Sequence, residues 1–194
     1  MNGTLRRARE SFRYGGVRHL LRRAAEPVYL EWLELERAIA PEQLPPDDDP
    51  RVRFADLTGA DPRRFAGSHI APETAAERLV AGHLCFAMLL DEMPVAVVWG
   101  RTDAAWLPFL RRNVPLGPGE VYLYDSTTHP AHRRQGLARR RRAHTYTTLA
   151  ERGFRTARIY VLAGNGPGLA AAQAAGFEIV ARRRRVHAGP LGLR

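Results

Sequence analysis

The sequence of 194 residues contains no lysine, so all 30 of its basic residues are arginine. The absence of lysine excludes Schiff-base chemistry, a lysine general base and a phosphate loop of the Walker type. Arginine cannot replace lysine in these roles, because its guanidinium group stays protonated at physiological pH. The chemistry of this chain must therefore use other side chains and the backbone.

Cysteine and long apolar runs are also scarce. The single cysteine, Cys85, excludes an internal disulfide and any zinc site built from several cysteines. No stretch reaches the roughly 20 apolar residues of a membrane span. The N-terminal arginines are not followed by the apolar core and cleavage site that define a signal peptide. We therefore expect a cytoplasmic protein, whose length suits one domain of about 100–200 residues plus an extension.

The net charge of +10 is unevenly distributed along the chain. Residues 1–23 carry a net charge of +6, residues 24–120 carry −7, and residues 121–194 carry +11. The C-terminal part is therefore expected to favour an anionic partner. One function that this charge distribution allows is that of a non-enzymatic basic module, which binds nucleic acid or an anionic membrane. Nucleic acid is the disfavoured partner, since the sequence lacks interleaved exposed aromatic residues for base stacking.

Proline and aspartate divide the chain at residues 41–50, which read PEQLPPDDDP and are predicted to form a linker. Before the linker, residues 1–40 have apolar residues at helical spacing with arginines opposite, which predicts a basic amphipathic helical extension. Such an extension either packs on its own domain or contacts a membrane surface or a partner. A domain over residues 51–187 and a tail over residues 188–194 complete the predicted organisation.

The order of elements after the linker predicts an α/β fold built on a mixed sheet. Two apolar runs around residues 91–94 indicate a hairpin, and three later strands alternate with two helices. Residues 101–119 are interpreted as a long connection. The predicted strands are Val52–Leu57, Cys85–Leu90, Val95–Trp99, Val121–Thr128, Arg158–Leu162 and Phe177–Val186. The predicted helices are a short one capped by Asp61, Pro72–Ala81, Gly136–Arg152 and Pro167–Ala175.

The segment that follows the predicted strand 121–128 has the features of an anion site. Backbone N–H groups at a helix start, with the helix dipole behind them, bind anions such as a diphosphate. Gly136 allows close approach of the backbone, and the small Ala138 leaves room beside the first turn. Further arginines, Arg133, Arg134 and Arg139–Arg142, add positive potential. The segment reads Pro130-Ala131-His132-Arg133-Arg134-Gln135-Gly136-Leu137-Ala138 and opens a predicted helix.

This segment resembles the acyl-CoA loop of the GNAT (Gcn5-related N-acetyltransferase) superfamily, which has the form Arg/Gln-x-x-Gly-x-Gly/Ala. The match runs from Arg133 to Ala138, and Pro130 stands three residues earlier, where the family typically has a proline. Asn165, followed eleven residues later by Gly176-Phe177, matches a second pattern of the family. The resemblance covers roughly residues 51–186. It implies the GNAT acyl-CoA N-acyltransferase fold, here without an obvious seventh strand.

The resemblance implies acetyl-CoA or another acyl-CoA as co-substrate, no metal, and direct attack on the thioester by an amine of a small molecule or a carrier-linked intermediate. Backbone amides of residues 134–139 would hold the CoA pyrophosphate, and the end of the preceding strand would pair with the pantetheine arm. Asn165 would contact the pantetheine or help to place the acceptor. The implied cofactor-binding residues are Ser126, Thr127, Thr128, Arg133, Arg134, Gln135, Gly136, Leu137, Ala138, Arg139 and Asn165.

The candidate catalytic residues follow from departures from the family pattern. Ala172 stands where many relatives have a tyrosine acid, and Tyr122 and Tyr124 stand where relatives often have glutamate bases. We interpret Asp125 as a candidate base and Tyr124 as a candidate acid or positioning group. The alternatives are packing roles and water-mediated deprotonation. In a regular strand Asp125 points away from the two tyrosines, whereas a bulge would redirect it.

Three features leave further alternatives open. The absence of the family's tyrosine at position 172 also suits a non-catalytic acyl-CoA sensor. Without a seventh strand the acceptor side is open, or it is filled by the N-terminal helices or by the second subunit of a homodimer. Arg182–Arg185 place two arginines on each face of the last strand. They form either a solvated edge that resists aggregation or a patch for an anionic acceptor.

Overall fold

The computed structural model describes residues 28–44, 49–107 and 112–187. Its main sheet is mixed and has the strand order β2-β3-β4-β7-β8-β1-β9, beside a separate hairpin of β5 and β6. The strands are β1 (Val28–Ala38), β2 (Val52–Asp56), β3 (Leu84–Leu90), β4 (Met93–Arg101), β5 (Ala104–Leu107), β6 (Arg112–Pro115), β7 (Glu120–Thr128), β8 (Thr156–Leu162) and β9 (Glu178–His187). The helices are α1 (Pro72–Val80), α2 (Leu137–Glu151) and α3 (Gly166–Ala174), with 3-10 turns at Pro62–Phe65 and Pro130–His132.

The elements predicted after residue 51 are confirmed to within two residues at each end. Asp61 caps the turn at Pro62–Phe65, since its carboxylate accepts a hydrogen bond from the Arg63 amide at 2.9 Å. The hairpin of β3 and β4 turns at Asp91 and Glu92, which both have positive φ angles, as a two-residue hairpin turn requires. Residues 101–119 are not a plain connection, because the four-residue strands β5 and β6 lie within them.

Residues 28–38 form a strand, which corrects the helix predicted for this part of residues 1–40. The alternation Leu33-Glu34-Leu35-Glu36 has the period of a strand, and both leucines are buried in the core. β1 lies between β8 and β9 and is antiparallel to both, so its backbone is hydrogen-bonded on two sides. The helices predicted within residues 1–27 and the tail 188–194 lie outside the described residues.

β1 also supplies the seventh strand that the sequence was expected to lack. With β1 inserted, the main sheet has seven strands, so the expected lack of a seventh strand is wrong. The segment before the linker therefore contributes to the same sheet as the elements after it. The predicted boundary between an extension and a domain does not hold at residues 28–38.

The arginines of β9 pair with glutamates of the neighbouring strand β1. Arg183 reaches Glu34 at 2.8 Å, and Arg184 reaches Glu31 at 2.9 Å. Arg182 lies 3.9 Å from the same Glu31. β9 is the last strand of the sheet, as expected for an edge strand, and these cross-strand charge pairs fix it to β1. The side chain of Arg185 lies outside the described residues.

The core lies on both faces of the main sheet. On one face, called here the α2–α3 face, residues such as Phe86 and Leu123 pack against Tyr146 and Leu149 of α2. On the other, called the α1 face, α1 and the turn at Pro62–Phe65 cover a cluster that Tyr124 joins from β7. Successive residues of a strand point to opposite faces, so the neighbours Leu123 and Tyr124 serve the two faces.

Candidate functional site

The parallel strands β7 and β8 pair over three residues each and then separate. The register joins residues 120–122 to residues 156–158, whereas β7 continues to Thr128 and β8 to Leu162. The separating ends leave a cleft of about 430 Å³ between them. Ligands of open sheets bind in this kind of place, outside the carboxyl ends of parallel strands.

Residues from both faces of the sheet line the cleft. Tyr124 of β7 and Tyr160 of β8 line it from the α1 face, where Tyr122 stacks on Tyr124 at 5.4 Å and meets Tyr160 edge-on at 5.7 Å. This arrangement confirms that Tyr122 and Tyr124 share a face. α2 and α3 line the cleft from the other face. Their lining residues include Ala138, Arg139, Arg141 and Thr145 of α2, the N-cap Asn165, and Gly168 and Ala172 of α3.

Gly136 is the N-cap of α2 and lies next to the lining residues Ala138 and Arg139, at the end of the cleft that we call its mouth. The φ angle of Gly136 is 74°, in the left-handed region that favours glycine, and no side chain caps the first turn of α2 among the described residues. The Arg139 amide donates to the Gly136 carbonyl at 3.0 Å, whereas the amides of Leu137 and Ala138 precede the helical hydrogen-bond pattern. A Cβ atom added to Gly136 would meet nothing within 4 Å, so the space beside these amides is open to a ligand.

A β-bulge in β7 turns Asp125 toward the α1 face. The register with β4 shifts between the pairs Val97–Thr127 and Trp99–Tyr124, and Asp125 has a φ angle of 52°. Its carboxylate therefore pairs with Arg78 of α1 at 2.6 Å. Of the two alternatives for Asp125, the structure shows the bulge, which places Asp125 on the same side of the cleft as Tyr124.

Tyr124 is paired with a histidine that sequence reasoning missed. Its hydroxyl lies 2.6 Å from Nδ1 of His83, which follows α1 and is 41 residues away in sequence. Burial raises the pKa of Tyr124 to about 12, so the phenol is protonated at neutral pH. Burial, together with Arg101 and Arg78, lowers the pKa of His83, so the imidazole is neutral at pH 7. A protonated phenol beside a neutral imidazole is able to relay a proton.

The predicted cofactor-binding residues occupy three kinds of position. Ser126, Ala138, Arg139 and Asn165 line the cleft. Leu137 is buried in the core. The remaining ones lie at the end of β7 and in the loop before α2, and they are Thr127, Thr128, Arg133, Arg134, Gln135 and Gly136.

Three polar contacts hold the segments that follow β8 and that end β7. Asn165 caps α3, since its Oδ1 accepts a hydrogen bond from the Gly168 amide at 3.1 Å, and any Cβ at Gly168 would collide with the Asn165 side chain. The Thr127 hydroxyl lies 2.9 Å from Nε2 of His69 on the α1 face. Nε of Arg133 donates to the Thr128 carbonyl at 3.2 Å, which ties the loop to the end of β7.

Other chemistry-bearing residues of the sequence lie outside this cleft. Cys85 is fully buried in the α1 face, and burial raises the pKa of its thiol, so it is a core residue. The rings of His129 and His132 lie 5.2 Å apart. Within residues 28–44, 49–107 and 112–187, no group of three or more acidic, histidine or cysteine side chains could hold a metal ion. No helix in those ranges is long and apolar enough to cross a membrane.

The mixed sheet, which separates between the parallel strands β7 and β8, is similar in fold to solved structures of GNAT acetyltransferases. A GCN5-related N-acetyltransferase from Kribbella flavida superimposes with a TM-score of 0.53 and 18% identity, over 92% of this chain and 65% of that chain. A tandem GNAT protein from the clavulanic acid biosynthesis pathway gives 0.54 and 14%, over 92% and 60%. A GCN5-related N-acetyltransferase from Sphaerobacter thermophilus gives 0.52 and 12%, over 89% and 57%.

These likenesses establish the fold of the described part of the chain. The chain spans less than two thirds of the length of each of the three structures. No family model and no curated protein matches the sequence.

Proposed function

We propose that this chain is an acyl-CoA-dependent N-acyltransferase that acts on an amine of a small molecule or a carrier-linked intermediate. The cleft between the separating ends of β7 and β8 carries this proposal. Uncapped amides lie at its mouth, and the pair of Tyr124 and His83 lies on its α1 face. The arginines of the loop give the mouth the positive potential that suits the phosphates of CoA.

In this proposal the acyl-CoA binds from the α2–α3 face. Its diphosphate accepts hydrogen bonds from the amides of residues 134–139, and Arg133, Arg134 and Arg139 neutralise its charge. Beyond residue 122 the edge of β7 is no longer paired with β8, so its backbone groups are available to the amides of the pantetheine arm. Ser126 of β7 and Asn165, which follows β8 and caps α3, both line the cleft and lie on either side of this arm.

The reaction forms one carbon–nitrogen bond and breaks one carbon–sulfur bond. The acceptor enters as an ammonium ion and is attracted by Asp125, which Arg78 holds in place. Tyr124 takes one proton from the nitrogen while it passes its own proton to His83, and His83 later returns that proton to solvent. The neutral amine then attacks the thioester carbonyl, whose oxygen is bound by a backbone amide of β7. The second proton of the nitrogen reaches the departing thiolate, which leaves as CoA.

An isothermal titration with CoA and with acetyl-CoA tests the proposal directly. We expect both ligands to bind with a Kd between about 1 μM and 1 mM, the usual range for enzyme substrates. The absence of binding at millimolar ligand would overturn the proposal. Released CoA thiol is then measured against a set of amines. Binding without release for any amine would favour a non-catalytic acyl-CoA sensor.

The proposed role of His83 predicts how kcat/KM falls at acidic pH. His83 must be neutral to accept a proton, and its pKa lies below the ordinary value of 6.5. We therefore expect kcat/KM to be constant above about pH 6.5 and to fall tenfold per pH unit below the lowered pKa of His83. His83→Gln should remove this fall. The profile is measured by CoA release with the acceptor found in the amine screen, and an unchanged fall in the variant would contradict the role of His83.

A further inference from the structure

The cleft continues on the α2–α3 face past the point where β7 and β8 separate. Leu123 and Ile159 mark this point, because each directly follows the last paired residue of its strand. Beyond them the cleft reaches Phe177 and the facing sides of α2 and α3. The side chains that α3 presents here are all small, so the two helices leave room between them. They are Gly168, Ala171 and Ala172 of α3, and Ala175, which directly follows it.

The α2 side of this space carries a buried cation, Arg141. The residue is 5% exposed, and its Nη1 and Nη2 donate to the Val97 carbonyl at 2.6 Å and the Ser126 hydroxyl at 2.8 Å. Its Nε has no partner among the described residues, and no carboxylate there forms an ion pair with it. Burial lowers the pKa of Arg141 to about 10, so the guanidinium is still charged at pH 7. A buried charge without a counter-ion is costly, which favours an anionic ligand.

Thr145 lies one turn further along the same side of α2. It is 1% exposed and lines the cleft, and its hydroxyl has no hydrogen-bond partner among the described residues. Residues four apart on a helix are neighbours, so Arg141 and Thr145 present a cation and a hydroxyl side by side. Buried polar groups in native proteins are nearly always satisfied, by protein, water or a ligand. These two side chains therefore point to an oxygen-bearing group in the part of the cleft that lies between α2 and α3.

We propose that Arg141 and Thr145 bind a carboxylate at the far end of the acyl group, so that the preferred donor is the CoA thioester of a dicarboxylic acid. This inference rests on the proposed function. The CoA phosphates bind at the mouth beside Gly136, so they are not the missing anion. The acceptor enters on the α1 face with Tyr124 and Asp125, whereas Arg141 and Thr145 lie on the α2–α3 face. The pantetheine arm beside Ser126 is uncharged, so it does not supply the counter-ion of Arg141. The anionic group that reaches Arg141 and Thr145 is therefore the end of the acyl chain.

Four ligands test this inference by isothermal titration on the full chain: CoA, butyryl-CoA, malonyl-CoA and succinyl-CoA. Butyryl-CoA and succinyl-CoA have acyl groups with the same number of carbon atoms, and only the second ends in a carboxylate. We expect succinyl-CoA or malonyl-CoA to bind about tenfold or more tightly than butyryl-CoA, because hydrogen bonds to a charged group are strong. Equal affinities would overturn the inference. Failure of CoA itself to bind would instead overturn the proposed function, and this inference with it.

Variants distinguish two roles of Arg141: binding of a carboxylate, or only stabilisation of the bulge of β7 through its hydrogen bonds to Val97 and Ser126. Arg141→Met should abolish the preference for the carboxylated ligand while CoA and butyryl-CoA keep their affinities. Thr145→Val, which keeps the shape and the charge of the site, should reduce the same preference and covers the case in which Arg141→Met does not fold. Arg139→Met, at the mouth, should weaken all four ligands alike. A uniform loss in Arg141→Met would show that Arg141 is only structural and would overturn the inference.

Discussion

Gly136→Glu should weaken CoA binding by about a hundredfold or more. A non-glycine residue in the left-handed region costs about 1–2 kcal/mol, so the variant destabilises the loop conformation seen at the φ angle of 74°. The new carboxylate would also extend into the open space beside the first-turn amides, where the diphosphate is proposed to bind. Repulsion between like charges a few ångströms apart adds at least about 1 kcal/mol. The effect is measured by titration with CoA, since the variant leaves Arg141 and Thr145, which are proposed to bind the acyl group, unchanged.

Gly153→Glu provides the matched control for this experiment. Gly153 follows the other end of α2, has a φ angle of 82°, and would likewise place a Cβ where nothing lies within 4 Å. The two variants therefore introduce the same charge and the same backbone strain at opposite ends of one helix. We expect both to lower the free energy of unfolding by similar amounts, while only Gly136→Glu loses CoA. Equal loss of CoA in both variants would show that the loop before α2 is not the binding site.

The sequence predicted the part of the site whose residues are close together in the chain, which is the loop before α2. A glycine at a helix start, flanked by arginines and preceded by a strand, requires only short-range rules, and Gly136 does begin α2 with a positive φ angle. The strands and helices that position this loop were predicted for the same reason. Each has its own period of apolar residues and its own turn residues at the ends.

The rest of the site depends on contacts between distant parts of the chain. His83 and Arg78 meet Tyr124 and Asp125 only because α1 packs on the α1 face, and no spacing in the sequence records that contact. The bulge at Asp125 arises from a register shift against β4, which depends on pairing rather than on local preference. β1 was missed because its apolar residues fit both a helical and an alternating period. Its place between β8 and β9 decides the outcome, since it buries Leu35 and pairs Glu34 with Arg183.

Removal of either member of the pair Tyr124 and His83 should lower kcat by about 10²–10⁴, the usual contribution of general acid–base catalysis. Tyr124→Phe deletes the hydroxyl that receives the amine proton, and His83→Gln deletes the final acceptor of that proton. Because the two act as one relay, the double variant should lose no more activity than the stronger single variant. The Kd for CoA should stay unchanged in all three proteins, since neither side chain lies on the α2–α3 face.

Tyr122→Phe is the matched control, because Tyr122 stacks on Tyr124 and phenylalanine keeps that ring contact. We expect this variant to lose less than about tenfold in kcat, or about 1.4 kcal/mol of barrier. The rates are measured by release of CoA thiol at saturating acyl-CoA and acceptor. If Tyr122→Phe and Tyr124→Phe were equally slow, the loss of activity would come from disturbed packing of the stacked tyrosine rings and not from removal of a catalytic hydroxyl. If the effects of Tyr124→Phe and His83→Gln were additive, the two side chains would act separately, and Asp125 would be the remaining candidate base.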